Sequence, residues 1–295
     1  MVDHSDTTSS DSRLKSTTRC DVDVVVVGAG FAGMYMLHRL RSLGYSARAF
    51  EAGTGVGGTW YWNRYPGARC DVESLEYSYS FDEELQQEWE WTERYSSQPE
   101  ILAYANHVAD RFSLRDSIQF ETRVEAAKFD EADNVWSVLT SDGQTTVCRF
   151  FVLATGCLSS TSLPEFDGLE NFGGTTIHTG QWPKEGVVLK GKRVGIVGTG
   201  SSAVQAIPVL AEECDELIVF QRTAQYTIPA RNAPLDPNKQ ADIKSRYSDF
   251  RDANFAMPQA LGQKSQSSVT QFMMFQMLSE SAGLKTHGSA GERYS

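Results

Sequence analysis

The sequence lacks long apolar runs and is poor in cysteine. No uncharged apolar stretch approaches the roughly 18 residues that a membrane helix requires, and the apolar block Val24–Val27 directly follows Asp23. The five cysteines are scattered, and none forms a Cys-x-x-Cys pair. These absences argue against a membrane span, a disulfide framework and a zinc site. They favour a reducing, cytoplasmic setting and a chain without a bound metal.

Positive charge is also scarce. The formal net charge of the 295 residues is -11, and no basic cluster offsets it locally, so a nucleic-acid partner is not expected. Residues 1–20 are polar, rich in Ser and Thr, and lack the apolar core of a secretory signal. We therefore expect a disordered tail over 1–20. The chain is 40% hydrophobic. The residues after this tail therefore contain enough apolar material for one large or two modest globular domains.

A glycine loop opens the part of the chain that we expect to fold. The mostly β-branched run Val22–Val27 predicts a strand buried on both faces of a parallel sheet. Three glycines follow it at the spacing of a dinucleotide fingerprint. Gly28 would make the tight turn, Gly30 would let the backbone approach a pyrophosphate, and Gly33 would let the following helix pack closely on the strand.

The continuation completes that fingerprint. Apolar residues at helical spacing begin at Phe31 and end before Gly44, which predicts a helix closed by a glycine. A second strand, Ala47–Phe50, ends at Glu51. A carboxylate about 20 residues after the loop would accept hydrogen bonds from ribose hydroxyls and would repel a phosphate there.

The same order occurs a second time. Arg193–Val197 predicts a strand, a Gly-x-Gly-x-x-Ala loop follows, and Glu216–Phe220 predicts the next strand. This strand is followed by Arg222 instead of an acid, and an arginine at that position can accept a 2'-phosphate. The sequence thus predicts an α/β protein with two Rossmann-like units, FAD in the first and NADPH in the second. A surface arginine at a strand end is the alternative for Arg222.

A segment of glycines and aromatics follows Glu51. Residues 53–71 combine Gly-Gly and Pro-Gly steps with Trp60, Tyr61 and Trp62, which predicts a loop that wraps a ligand. Packing of these aromatics in the core is the alternative.

These stretches resemble the class B flavin monooxygenases. The resemblance rests on 24–33, 57–71, 72–81 and the second glycine loop, and it extends from about residue 21 to about 236. One further stretch indicates the Baeyer-Villiger branch, close to its phenylacetone, steroid and cyclododecanone enzymes. It fits the fingerprint FxGxxxHxxxW(P/D) at Phe172, Gly174, His178, Trp182 and Pro183.

The resemblance implies a reaction and a set of contacts. Members of the family reduce FAD with NADPH, form a flavin C4a-peroxide with O2, and convert a ketone, often cyclic, to an ester or lactone. The implied FAD contacts are Gly28, Gly30, Phe31, Gly33, Glu51, Thr59, Trp60, Tyr61, Trp62, Asp71, Val72, Tyr77 and Val124. Arg69, Cys70 and Asp71 would also face the nicotinamide. The implied NADPH contacts are Gly198, Thr199, Gly200, Ser201, Ser202, Arg222 and Thr223.

The resemblance also implies roles for Asp71, His178 and Trp182. Asp71 would pair with a catalytic arginine that stabilises developing negative charge, although it would equally suit the cap of a helix over Val72–Tyr77. His178 and Trp182 would act as joints of a linker that moves when NADPH binds, with direct proton transfer by His178 a minor alternative.

The family continues well past residue 295, and its catalytic arginine has no counterpart here, so we expect a C-terminally truncated member. The predicted parts are an FAD-binding domain at 21–160, a linker at 161–186, an NADP-binding domain at 187–236, and a partial helical insertion with an atypical tail at 237–295. The main hypothesis is a Baeyer-Villiger monooxygenase. The alternatives are a non-catalytic remnant of one and a flavin-containing monooxygenase that oxygenates nitrogen or sulfur.

Overall fold

The computed structural model describes residues 19–227 and 229–256. Most of the predicted tail at 1–20 and the atypical end of the 237–295 segment lie outside these residues. The chain forms two compact units. The first contains the described residues up to Asn63 together with Leu102–Trp182, and the second contains Arg64–Ile101 together with the described residues from Pro183 onwards. The division between Trp182 and Pro183 falls inside the predicted linker, and the predicted domain bounds remain predictions.

Within 19–227 and 229–256, eight strands form two sheets. Their bounds are β1 (Val22–Val27), β2 (Ala47–Phe50), β3 (Ile118–Gln119), β4 (Val124–Asp130), β5 (Val135–Thr140), β6 (Thr145–Leu153), β7 (Arg193–Val197) and β8 (Glu216–Phe220). The first six form one sheet in the order β3-β2-β1-β6-β5-β4, and β7 pairs with β8 in another. Strands β3, β2, β1 and β6 are parallel, as are β7 and β8, whereas β4, β5 and β6 are antiparallel neighbours.

Seven α-helices accompany these strands. Their bounds are α1 (Phe31–Ser42), α2 (Thr59–Trp62), α3 (Glu83–Glu88), α4 (Gln98–Arg111), α5 (Ser201–Glu213), α6 (Pro237–Ser245) and α7 (Tyr247–Phe255). Among the described residues, no helix is long and apolar enough to cross a membrane.

The first sheet is covered on both faces. Alternate residues of β1 enter different clusters: Val24 and Val26 pack with Met34 and Leu37 of α1, while Val25 packs with Phe50 and other residues on the opposite face. This confirms the strand buried on both faces that the β-branched run predicts. Helix α1 ends before Gly44, whose positive φ of 80° closes it as predicted.

The second sheet is small and less covered. Strands β7 and β8 occupy the predicted positions, and α5 lies between them in the chain. Apolar side chains at the ends of both strands are nonetheless exposed, with Val197 at 67% and Phe220 at 55% of their full surface. The parallel pairing and the connecting helix together give the strand, loop, helix, strand order predicted for this region.

Two local predictions are wrong. Val72–Tyr77 forms turns and not a helix, although Tyr77 donates one helix-like backbone hydrogen bond to Glu73. The supposed loop at 53–71 contains the short helix α2, because Gly58 allows the chain to turn into a single helical turn of aromatics. The helical character predicted from Pro237 is confirmed: α6 begins at Pro237 after an Asp236 cap, and α7 follows it.

Candidate functional site

The first glycine loop is enclosed by its own unit. The Gly28 N-H donates to the carbonyl of Phe50 over 2.8 Å, and the positive φ of Gly28, 102°, explains why glycine is needed there. A methyl group on Gly28 would lie 2.6 Å from the carbonyl oxygen of Ala154, and one on Gly33 would lie 2.0 Å from that of Gly28. Both glycines therefore serve close packing of the loop, the strand and the helix.

Helix α1 opens directly on this loop. Gly30 is its N-cap, and the helix has neither a side-chain cap nor an acidic residue in its first turn. Phe31, its first residue, packs against Tyr104 with ring centroids 6.1 Å apart. An N-terminus of this kind presents backbone donors and a positive dipole end without a built-in anion, and it therefore suits a phosphate group.

Glu51 is tied to the loop more closely than the fingerprint predicts. Its side chain is 5% exposed. One carboxylate oxygen accepts from the Ala29 N-H and the other from the Gly53 N-H, both over 2.8 Å. The two bonds hold the carboxylate at the end of β2, and each oxygen keeps a further lone pair for a ribose hydroxyl.

The segment at α2 lies against the first loop. The Gly57 N-H donates to the carbonyl of Ala29 over 3.0 Å, and a methyl group on Gly58 would lie 2.8 Å from the Cα of Gly30. Thr59 begins the helix and Trp60 is buried. The structure thus brings Glu51 and the segment at α2, which are neighbours in the sequence, against the glycine loop, which lies well before both of them.

The other two aromatics of α2 differ in surroundings. Tyr61 is half-buried, its hydroxyl accepts from the Thr54 N-H over 2.9 Å, and its ring packs edge-on against Trp62.

Val124, also predicted to contact FAD, begins β4 and packs against the cluster that contains Val25.

The other residues predicted to contact FAD or the nicotinamide, at 69–77, belong to the second unit. Arg69 lies in a short extended piece that pairs with Ser97, and its guanidinium donates to Glu93 over 2.8 Å and to the Tyr95 carbonyl over 2.9 Å. Cys70 is buried, and this burial raises the pKa of its thiol to about 12. The thiol therefore stays neutral and packs as a small apolar group.

Asp71 is exposed and begins the turn region. Val72 is half-buried and donates its N-H to the Cys70 sulfur over 3.4 Å, and Tyr77 is half-buried at the end of the turns. Because no helix follows Asp71, the helix-cap alternative for this residue is removed.

The second glycine loop repeats the backbone of the first. The Gly198 N-H donates to the carbonyl of Phe220 over 2.8 Å, and Gly198 has a positive φ of 98°. Helix α5 begins after Gly200 with no side-chain cap and no acid in its first turn. A methyl group on either glycine would meet nothing within 4 Å. The loop therefore leaves the open space that a bound pyrophosphate requires.

A side-chain bond links this loop to the end of β8. Gln221 donates its amide to the Thr199 hydroxyl over 2.9 Å, and that hydroxyl lies 3.4 Å from the Thr223 carbonyl. Arg222 is exposed beside them, as is Ser201, while Ser202 is half-buried. The sequence does not predict this contact of Gln221 with the loop, although its position next to Arg222 places it at the predicted phosphate site.

The fingerprint stretch forms a compact turn. His178 precedes a single turn of 3-10 helix at Thr179–Gln181 and accepts, through Nδ1, the N-H of Gly180 over 3.1 Å. Phe172 is 60% exposed, and a methyl group on Gly174 would clash with its ring at 2.7 Å. Trp182 and Pro183 are half-buried. In this arrangement His178 acts as a cap of the 3-10 turn, and its role as a joint stays a prediction.

Comparison with known proteins identifies the family of this fold. Residues 22–244 match the family described as pyridine nucleotide-disulphide oxidoreductase. The chain belongs to this family. The assignment confirms the predicted α/β fold with Rossmann-like units, since those units are what this chain shares with its structural neighbours.

Individual relatives of the chain include monooxygenases. It is 48% identical over 232 residues to a Baeyer-Villiger monooxygenase of Pseudooceanicola batsensis, covering 78% of this chain and 42% of the relative. It is 46% identical over 231 residues to a phenazine N-monooxygenase of Lysobacter antibioticus, again covering 78% and 42%. A solved structure of an oxidised steroid monooxygenase bound to NADP matches with 57% identity and a TM-score of 0.77, covering 79% of this chain and 45% of that one.

The resemblance to the Baeyer-Villiger monooxygenases is thereby confirmed. The chain spans less than half the length of these relatives.

Proposed function

We propose that this chain supplies the FAD-binding and NADPH-binding parts of a flavin monooxygenase that converts a ketone to an ester or lactone with O2, as Baeyer-Villiger monooxygenases do. The observation that carries the proposal is a pair of glycine loops with the same backbone geometry and opposite charges beside them. Glu51 is bonded to the first loop, and exposed Arg222 stands beside the second. One chain thus offers a site for an unphosphorylated ribose and a site for a phosphorylated one.

The residues of the first unit would bind and orient FAD. The α1 N-terminus would receive the pyrophosphate, Glu51 would accept from the ribose hydroxyls, and Trp60 would line the site. When bound, FAD would take a hydride from NADPH and activate O2, which is chemistry that the cofactors supply and the protein positions.

The residues of the second unit would bind NADPH and shape the reaction. The backbone of 198–202 would receive the pyrophosphate and Arg222 the 2'-phosphate. Arg69 and Asp71 would face the nicotinamide. The exposed carboxylate of Asp71 would hold a cation that stabilises negative charge developing on the substrate.

Cofactor binding tests the proposal most directly. FAD is titrated into the purified chain and followed by flavin fluorescence, and NADPH and NADH are titrated by calorimetry. We expect binding of FAD and a preference for NADPH. Arg222→Ala should weaken NADPH binding by roughly tenfold or more, with NADH little affected, because charge-assisted bonds to the phosphate are lost. Arg193→Ala, which changes an exposed arginine at the far end of β7, is the matched control.

The reaction is tested separately with NADPH, O2 and a cyclic ketone such as cyclohexanone, with the lactone measured by gas chromatography. A chain that binds both cofactors and forms lactone supports the proposal. A chain that binds neither FAD nor NADPH contradicts it and favours the non-catalytic alternative.

N-oxygenation is a second candidate function. It is favoured by the 46% identity to a phenazine N-monooxygenase, because the same cofactors can serve attack on a nitrogen. Phenazine in place of the ketone distinguishes the two: an N-oxide without lactone would support N-oxygenation.

A further inference from the structure

One side chain of α5 is bonded three times to the segment that precedes Asp71. Gln205 lies one turn into α5 and is half-buried. Its amide oxygen accepts from the Tyr65 hydroxyl over 2.8 Å and from the Arg69 N-H over 3.3 Å, and its amide nitrogen donates to the Arg69 carbonyl over 3.0 Å. All these residues belong to the second unit.

The pairing with Arg69 requires an amide. Gln205 bonds to both the N-H and the carbonyl of Arg69. The two bonds together fix the orientation of the amide plane as well as its distance from Arg69. Among side chains of this length, only glutamine presents a planar donor and acceptor together. A glutamate would lose the donated bond and would place a carboxylate oxygen against a carbonyl oxygen.

The backbone of α5 approaches the same segment. A methyl group on Gly67 would lie 2.2 Å from the carbonyl oxygen of Gln205 and 3.2 Å from a methyl carbon of Val209. The segment therefore lies flat on one face of α5, and glycine is needed at position 67 for this approach.

The other side of the segment is held as firmly. Cys70 donates its N-H to the Ser96 carbonyl and Gln98 donates to the Ala68 carbonyl, over 3.0 and 2.8 Å. The Arg69 guanidinium is bound by Glu93 and by the Tyr95 carbonyl. The guanidinium of Arg69 is thus held by Glu93 and Tyr95, and its peptide N-H and carbonyl are held by the side chain of Gln205 from α5.

We propose that Gln205 is a positioning residue, which holds Arg69, and through it Asp71, in a defined place relative to the helix that opens on the second glycine loop. This inference rests on the proposed function, in which Arg69 and Asp71 face the nicotinamide and α5 receives the pyrophosphate. Gln205 sets the distance between the bound nucleotide and those two side chains, without contacting either cofactor.

The first measurement needs no cofactor. Hydrogen exchange followed by mass spectrometry reports the peptides that cover 64–70 in the whole chain. Gln205→Met keeps the volume and removes all three bonds, so exchange there should accelerate by roughly tenfold or more. Gln205→Glu and Tyr65→Phe should give smaller increases because part of the bonding remains. Glu212→Gln, at an exposed position of the same helix, should leave exchange unchanged. Unchanged exchange in Gln205→Met overturns the inference.

The second measurement separates positioning from support of the fold. Stopped-flow reduction of bound FAD gives the rate constant at saturating NADPH and the dissociation constant of NADPH. We expect Gln205→Met to lower the rate constant by roughly tenfold or more, with the dissociation constant changed less than about threefold, and Gln205→Glu to recover part of the rate. A rate constant equal to wild type overturns the inference, as does an effect confined to the dissociation constant.

Failure of the proposed function would be visible in the wild-type protein, which would then bind no cofactor. The exchange measurement still decides the role of Gln205 in that case. Faster exchange at 64–70 in Gln205→Met would support the inference that Gln205 holds this segment, and exchange equal to wild type would overturn that inference.

Discussion

An added methyl group at Gly28 of the first loop would lie 2.6 Å from a backbone oxygen, whereas at Gly198, the same position of the second loop, it would meet nothing within 4 Å. The two loops have the same glycine turn, bonded in the same way to the end of the next strand. They differ because the first lies in a six-stranded sheet covered on both faces, and the second follows a strand of a two-stranded sheet with exposed apolar ends. The same motif is therefore rigidly packed in one unit and openly presented in the other.

The largest effect expected from this difference is on stability. Gly33→Ala should destabilise the first unit by about 3 kcal/mol or more, because the loop must move to accommodate the methyl group, and FAD binding should be lost with it. Gly200→Ala should change stability by less than about 0.5 kcal/mol and weaken only NADPH binding, since its methyl group faces the space for the pyrophosphate. Urea unfolding followed by circular dichroism measures both. Equal destabilisation by the two variants would contradict the conclusion that the first loop is closely packed and the second is open.

Removing a side-chain hydrogen bond at each loop should give a smaller difference in stability between the two units. Glu51→Gln should cost about 1–3 kcal/mol, because a glutamine has one oxygen for two buried N-H donors and its amide nitrogen would face the other. Gln221→Ala removes the corresponding exposed bond to Thr199 of the second loop, and it should cost less than about 0.5 kcal/mol. The same unfolding experiment compares them. A loss of stability in Gln221→Ala as large as that in Glu51→Gln would show that burial does not distinguish the loops.

The smallest effect concerns pH and belongs to the second unit. Burial, with Glu73 nearby, raises the pKa of Glu76 from 4.5 to about 7. The folded state then holds a proton that the unfolded state releases, so the free energy of unfolding should fall as the pH rises from about 4.5 to about 7. Above that range Glu76→Gln should raise Tm by about 2 to 4 °C, and the gain should vanish towards pH 4.5.

Melting curves at a series of pH values test this prediction, with Glu212→Gln as the exposed control. The neighbouring Glu73 should not add to the effect. Burial alone would raise the pKa of Glu73, but hydrogen bonds from Arg94 and Lys239 lower it below its ordinary value. A gain for Glu76→Gln that persists unchanged at low pH would show that repacking, and not ionisation, is its cause.

Local patterns predict the strands and helices around both loops well. The β-branched run at Val22–Val27, the helix ended by Gly44 and the strand Arg193–Val197 each depend on a periodicity or a terminator within a few residues. The errors occur where no such signal exists. Val72–Tyr77 has residues compatible with a helix, but the Ser74 N-H donates to the Arg94 carbonyl elsewhere in the second unit, and the bonds inside the stretch, from Glu76 and Tyr77 back to Glu73 and Ser74, form turns.

By itself, the sequence determined the fold class, the order of the two units and the opposite charges of Glu51 and Arg222, because these depend on spacing along the chain. Only the tertiary structure decided that Glu51 is bonded to Ala29, that the first loop is enclosed and the second open, and that Gln205 holds Arg69. These features depend on distances between residues that are remote in sequence. Such distances are set by how sheets and helices pack, and no local pattern encodes them.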